Sequence, residues 1–369
     1  MRRRLAKPGV SPSSNEAARF DSAHNERPEP AMRSFRGLSR LGRTVFDYRR
    51  RAVAPAALPL RLWIETSGRC NLRCPNRTLP PGEQRLMDMG LFVKIIDEAK
   101  AFARDAYLHH RGEPLLNPAL VDMIVCAREA GLKTRLHTNG TLLDAFAAER
   151  LLKARPDLVC FSVDGFERTA YGRIREGATF ETTVDNLIRF VGMRRLMGLD
   201  RPYIAVEKLR FRHPKAPEDA AQVKAFWQRL VDAGVDEVVE RDEFVWAEES
   251  APEPAEARPP AAVCNLPWCA MVVCADGAVT PCPRDFRAAM KMGNVRDASL
   301  EAIWRGEAYQ DLRRRSALDI ESLPLCRKCD RLRRRLYGDM PFPHMSALVV
   351  DELAGYGALR RRLWNKERK

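Results

Sequence analysis

The feature that most narrows the fold is an alternation across residues 60–242 of short, β-prone apolar runs with longer amphipathic segments. Strands are expected at 60–65, 106–110, 133–137, 158–163, 203–209 and 235–241, and helices between them at 89–104, 118–130, 141–154, 180–197 and 217–233. In the first of these helices Leu91, Phe92, Ile95, Ile96 and Ala99 fall on one side at helical spacing. Gly131, Gly198 and Gly234 stand where three of the helices should end. Short β-runs separated by helices of about ten or more residues imply parallel strands joined by right-handed crossovers. The expected fold is α/β, an incomplete (β/α)6 TIM-type barrel. Functional residues of such barrels gather at the C-terminal strand ends. The polar loops there are 66–77, Arg111-Gly112-Glu113-Pro114, Thr138-Asn139-Gly140 and Ser162-Val163-Asp164-Gly165.

The flanks read differently. Residues 1–59 form a basic segment, with 1–40 expected to be disordered, a short basic helix at 41–51, and Pro55 and Pro59 before the first strand. The barrel is assigned to 60–247 and a Pro- and acid-rich linker to 248–262. A small Cys-rich domain follows at 263–335, with a hairpin about Asp276-Gly277 and a helix at 299–315, and then a basic tail at 336–369. Of the net charge of +14, residues 1–60 carry +8 and residues 325–369 carry +7, so the body is almost neutral. No nucleic-acid motif or aromatic stacking platform accompanies the basic ends, which argues against nucleic acid as a partner and for solvated tails. No run of about 18 apolar residues occurs, so no membrane span is expected. Met1-Arg2-Arg3-Arg4 is followed by no apolar stretch of the kind an export signal carries. The expected location is cytoplasmic.

Ten cysteines without an export signal point to metal or redox use rather than disulfides. Cys70 and Cys74 lie on the first polar loop. Cys264, Cys269, Cys274, Cys282, Cys326 and Cys329 cluster in the small domain. On ligand type alone, four thiolates suit zinc as well as an iron–sulfur cluster.

The ordered motifs resemble the radical S-adenosylmethionine (SAM) superfamily, whose signature is Cys-x3-Cys-x2-Cys after the first barrel strand. Cys70 and Cys74 match it. Gly112-Glu113-Pro114 resembles the family's motif for the methionine amino group of SAM. Thr138-Asn139-Gly140 follows the third strand. Ser162-Val163-Asp164-Gly165 with Tyr171 and Ile174-Arg175 resembles the fourth-strand signature. The resemblance implies a [4Fe–4S] cluster with one open iron that binds SAM, and an electron that breaks the sulfonium C–S bond to give a 5′-deoxyadenosyl radical. It implies SAM contacts from Gly112, Glu113, Pro114, Asn139 and Ser162. Loop capping is the other reading of Asn139 and Ser162. Arg111 is a further candidate for a SAM or substrate carboxylate, and His109, His110 and His137 are expected at the mouth. Cys264-x17-Cys282 and Cys326-x2-Cys329 resemble the SPASM/Twitch extension, which implies one auxiliary [4Fe–4S] cluster; Cys269 and Cys274 fall outside that pattern and read as packing residues.

One position departs from the family. Arg77 stands where the third cysteine of the first motif belongs, and a guanidinium does not replace a thiolate on iron. Three explanations are open: a degenerate family member, a substituted version of an active enzyme, or a ligand from elsewhere. Cys160 is a candidate for the last, against a plain reading as a small core residue. The resemblance implies a radical SAM oxidoreductase or maturase acting on a peptide, sugar or aminocyclitol, with flavodoxin or ferredoxin as reductant. Its alternatives are a protein retaining only the auxiliary cluster and a zinc-stabilised module that binds nucleic acid.

Overall fold

The structure is a computed structural model and describes residues 31–74, 85–210, 219–242, 263–327, 329, 336–337 and 340–341. All six expected strands form: β1 (Arg61–Ile64), β2 (Asp105–Tyr107), β3 (Lys133–Thr138), β4 (Leu158–Ser162), β5 (Tyr203–Arg210) and β6 (Glu237–Asp242). They pair in parallel in the order β6-β5-β4-β3-β2-β1, a partial barrel that does not close. The crossover helices are α2 (Met89–Ala99), α3 (Leu120–Glu129), α4 (Ala145–Ala154), α6 (Phe180–Leu196) and α7 (Ala220–Ala233), with a short α5 (Arg168–Ile174) that the sequence reading lacked.

Local chemistry sets these boundaries. Asp88 caps α2 by accepting from Leu91 N at 2.8 Å, and Asp144 and Asp219 cap α4 and α7 in the same way. Gly234 ends α7 with φ +95°, a left-handed cap that costs glycine little. Leu62, Ile64, Ala106, Leu108, Leu136, Val159, Phe161, Ile204 and Val206 pack into the main core with the helices. By the two-residue period of a strand, the opposite face carries Trp63, Tyr107, His109, Arg135, His137, Cys160, Ser162, Ala205 and Glu207. This inner face is polar and aromatic.

Three features differ from the sequence reading. Helix α1 (Ala31–Arg49) begins ten residues earlier than expected, inside the stretch read as disordered. It is tied down by Asp47 Oδ2, which accepts from Ala57 N at 2.8 Å, and by Tyr48 Oη, which donates to Val263 O at 2.7 Å. The helix expected at 299–315 is two, α9 (Leu300–Arg305) and α10 (Glu307–Leu318), because Gly306 takes an extended conformation between them. The small domain is also not a separate layer. Its strand β7 (Ala270–Val273) pairs in parallel with β1, and β8 (Ala278–Thr280) and β9 (Gly293–Asn294) extend the same sheet antiparallel. The short α8 (Leu266–Cys269) precedes β7, and α11 (Pro324–Arg327) follows α10; β10 (Leu336–Tyr337) and β11 (Met340–Pro341) pair separately.

Candidate functional site

Two clusters of thiols emerge, one at the C-terminal end of β1 and one in the small domain. The first is built on a loop fixed by backbone contacts. Thr66 Oγ1 donates to Leu108 O at 3.1 Å, and Asn117 Nδ2 donates to Thr66 O at 2.7 Å. Glu113 N donates to Arg69 O at 2.6 Å. A Cβ at Gly112 would lie 2.0 Å from Ser67 O and 2.4 Å from Arg69 O, so only glycine permits the two loops to cross so closely.

This crossing places Glu113 beside the third-strand loop. Thr138 Oγ1 donates to Glu113 Oε1 at 2.7 Å, Leu115 N to the same oxygen at 3.2 Å, and Asn139 N to Oε2 at 2.8 Å. Pro114 is buried at the start of a single 3₁₀ turn. Asn139 bridges outward, its Nδ2 3.0 Å from Asn71 Oδ1 and 3.9 Å from Cys70 Sγ, while its Oδ1 accepts from Thr141 N at 2.9 Å. The side chain of Asn139 therefore clasps the cysteine loop to the third-strand loop.

Cys70 and Cys74 are both half-buried. Arg175, after α5, points Nη1 at Cys74 Sγ (4.0 Å) and forms a buried ion pair with Asp164. Burial works against the Arg175 charge, but Asp164 and Cys74 outweigh it and raise the guanidinium above its ordinary value. Burial likewise pushes the Asp164 carboxyl up, against the pull of Arg175. Arg175 was legible only as part of a family signature; the geometry gives it a place at the thiols. Arg77 lies outside the described residues.

Other expected residues fall elsewhere. Arg111 does not face the loop opening. Its Nε and Nη2 clamp Glu65 at 2.7 and 2.8 Å, both side chains buried, and Nη1 reaches Phe286 O. His110 turns toward the small domain, with Nε2 3.1 Å from Pro283 O and its ring 5.4 Å from Phe286. His109 and His137 do line the inner face, stacked at 4.3 Å, in a row continued by Tyr107 and Trp63. Ser162 is half-buried on the same face, paired in register with Glu207. Cys160 belongs to this wall and not to the Cys70 loop. Its Sγ, a ring nitrogen of His137 and a carboxylate oxygen of Glu207 lie within 4.8 Å of one another. Burial lowers the His137 imidazole to about 3, helped by Arg241 and Arg135, and pushes the Cys160 thiol well up. Glu207 was missed because β5 carries no motif; a carboxylate at an inner-face position of a strand is the signal that was there.

The second thiol cluster matches its sequence expectation. Cys264 precedes α8, Cys282 follows β8, Cys326 lies in α11 and Cys329 just beyond, and all four line one cavity of about 40 Å³. Pro267, Pro281, Met290, Leu312 and Leu325 make its walls apolar. Burial, then Cys264 and Cys329, push the Cys282 thiol up to about 12; burial and the same set raise Cys326 well above its usual range. Four crowded thiols in such a cavity ionise together only around a cationic centre. Arg284 supports two of them, with N 3.4 Å from Cys282 Sγ and Nη1 3.6 Å from Cys329 Sγ. Cys269 and Cys274 are buried in the strand and helix packing.

The donor sets differ accordingly. The small domain offers the four thiolates a cluster needs. The β1 loop offers two, with Arg77 at the third place.

Comparison with known proteins bears on the two parts of the chain that carry these thiols. Residues 64–194 match the radical SAM superfamily and residues 264–330 match SPASM, an iron–sulfur cluster-binding domain. The chain therefore carries a radical SAM domain followed by a SPASM-type C-terminal domain, and these two domains imply [4Fe–4S] clusters and SAM as cofactors. A tungsten-containing aldehyde ferredoxin oxidoreductase cofactor-modifying protein of Pyrococcus furiosus is 31% identical over 183 residues, 47% of this chain and 49% of that protein, so the match spans about half the relative's length. A PqqA peptide cyclase of Granulibacter bethesdensis is 27% identical, over 74% of this chain and 80% of the relative. In fold, the chain resembles Streptococcus suis SuiB bound to precursor peptide SuiA, with TM-score 0.58, 13% identity, and coverage of 81% of this chain and 76% of that one. It also resembles anSMEcpe with bound AdoMet and Cp18Cys peptide, with TM-score 0.52, 16% identity, and coverage of 84% and 100%. No helix among the described residues is long and apolar enough to cross a membrane.

Proposed function

We propose that this protein is a SPASM-type radical SAM oxidoreductase that acts on a peptide-class substrate within the partial barrel. The observation that carries the reading is the Glu113 carboxylate, oriented by Thr138, Leu115 N and Asn139 N directly beside the Cys70–Cys74 loop. A carboxylate so fixed suits the methionine ammonium of SAM through a charge-assisted bond. Gly112 and Pro114 set its approach, Asn139 holds the cysteine loop, and Ser162 faces the barrel from β4. Arg175, cationic and against Cys74, suits the methionine carboxylate. When bound, a reduced cluster supplies the electron that breaks the sulfonium C–S bond of SAM. Cys264, Cys282, Cys326 and Cys329 would hold the auxiliary cluster, and four thiolates would suit it to accept an electron from the substrate. The peptide class rests on the PqqA peptide cyclase relative, which the chain covers over 80% of its length. A flavodoxin- or ferredoxin-like protein is the matching reductant.

Arg77 favours a second reading, in which the chain keeps only the auxiliary cluster. Anaerobic reconstitution separates the two. About eight irons per chain with 5′-deoxyadenosine formed from SAM and dithionite supports the first, and about four irons with no product supports the second.

A further inference from the structure

We infer that the inner wall of the barrel holds a separate zinc-type metal site made of His137, Cys160 and Glu207. These residues come from three consecutive parallel strands. His137 on β3 is in direct register with Cys160 on β4, and Cys160 with Ala205 on β5, so Glu207 stands two residues further along β5 on the same face. Their ligand atoms lie within 4.8 Å of one another, and Cys160 and Glu207 are 4% and 8% exposed. Among the described residues no other imidazole, thiol and carboxylate group gathers so closely.

The three donors are those zinc prefers, one nitrogen, one sulfur and one oxygen, and three protein ligands leave a fourth position open. Neither the His137 ring nor Cys160 Sγ makes a hydrogen bond within the described structure. Arg241 Nε engages Glu207 Oε2 at 2.7 Å, so the carboxylate keeps a second oxygen beyond that ion pair. The His137 ring is already oriented, stacked on His109, whose Nδ1 accepts from His137 N at 3.2 Å. A closing movement of about 1 Å would bring the three atoms to tetrahedral spacing. A thiolate and a carboxylate neutralise the dication; because Arg241 shares the carboxylate, the open position favours an anionic or hydroxide ligand. None of the three residues belongs to the Cys70 loop or to the auxiliary set Cys264, Cys282, Cys326 and Cys329.

The test uses the full chain with its iron–sulfur sites reconstituted, given about one equivalent of zinc and examined at the zinc K-edge. The expected result is one sulfur at about 2.3 Å with nitrogen and oxygen neighbours at about 2.0–2.1 Å. Cys160→Ala should lose the sulfur shell, and Glu207→Gln, which keeps the shape of the side chain, should weaken zinc at least ~10-fold. Cys126→Ala, on the outer helix α3, should leave both unchanged. Four sulfurs around zinc would place it among Cys264–Cys329, and two at Cys70 and Cys74; either result, or no retained zinc, overturns the inference. If Cys160→Ala does not fold, the sulfur count in the wild-type chain together with Glu207→Gln decides.

Discussion

Glu65 and Arg111 form a buried bidentate ion pair, 2.7 and 2.8 Å, that joins the end of β1 to the loop after β2. The same carboxylate accepts from Ala275 N at 2.9 Å, and Arg111 reaches Phe286 O, so one pair ties the barrel to the small domain. Removing one partner strands the other in a site with almost no solvent. Glu65→Ala should cost about 3–5 kcal/mol, read as a lower denaturant midpoint with an unchanged slope. A loss under about 1 kcal/mol would mean the pair does not join the two parts.

The crossing at Gly112 gives a second expectation. Gly112→Ala would set a methyl group 2.0 Å from a backbone oxygen that cannot swing aside. SAM binding by the reconstituted protein should weaken at least ~10-fold, about 1.4 kcal/mol. Gly42→Ala in α1 meets nothing within 4 Å and should stabilise by about 0.5–1 kcal/mol. Equal SAM affinity in wild type and Gly112→Ala, by calorimetry, would remove the crossing from the site.

Much of this was legible because the barrel's apolar stripes are local. Leu91, Phe92, Ile95, Ile96 and Ala99 marked α2 and are all buried in it. The four cysteines grouped by their resemblance to the SPASM/Twitch extension do line one cavity. What escaped was non-local or weakly patterned. The pairing of β7 with β1 joins residues about 200 positions apart and leaves no trace in either run. The first turns of α1 are Arg- and Ser-rich, and packing of Tyr48 and Asp47, rather than propensity, holds that helix. Arg111 looked like a ligand because it adjoins Gly112, but the nearest buried carboxylate, Glu65, claimed it.

Acid should loosen the barrel floor. Asp105 is buried, which opposes its charge, yet Arg135, Arg104 and Arg61 outweigh burial and hold the carboxyl below 3.8. A depressed folded-state value means the contribution is complete above the unfolded value and is lost as pH falls through the folded one. The stability difference between wild type and Asp105→Asn should therefore be constant near neutrality and shrink below about pH 4. Thermal melts of both proteins from neutral to acid pH check this; a difference that grows on acidification would contradict it.

Loss of one auxiliary thiol should remove one cluster and spare the fold. Cys326→Ala should lower iron by about four per chain, while Cys126→Ala, half-buried on α3, should leave it unchanged. Iron and sulfide assays on both variants, with circular dichroism as the fold check, read the outcome. Equal iron in the two variants would exclude Cys326 as a ligand.

The central claim is that Cys70, Cys74 and the Glu113 cradle form a SAM-cluster site whose sequence has Arg77 in place of the third cysteine. Arg77→Cys tests it most directly, through 5′-deoxyadenosine formed by the anaerobically reconstituted chain with SAM and dithionite. The account predicts about eight irons per chain and more 5′-deoxyadenosine than wild type yields. About four irons and no product from Arg77→Cys would contradict it.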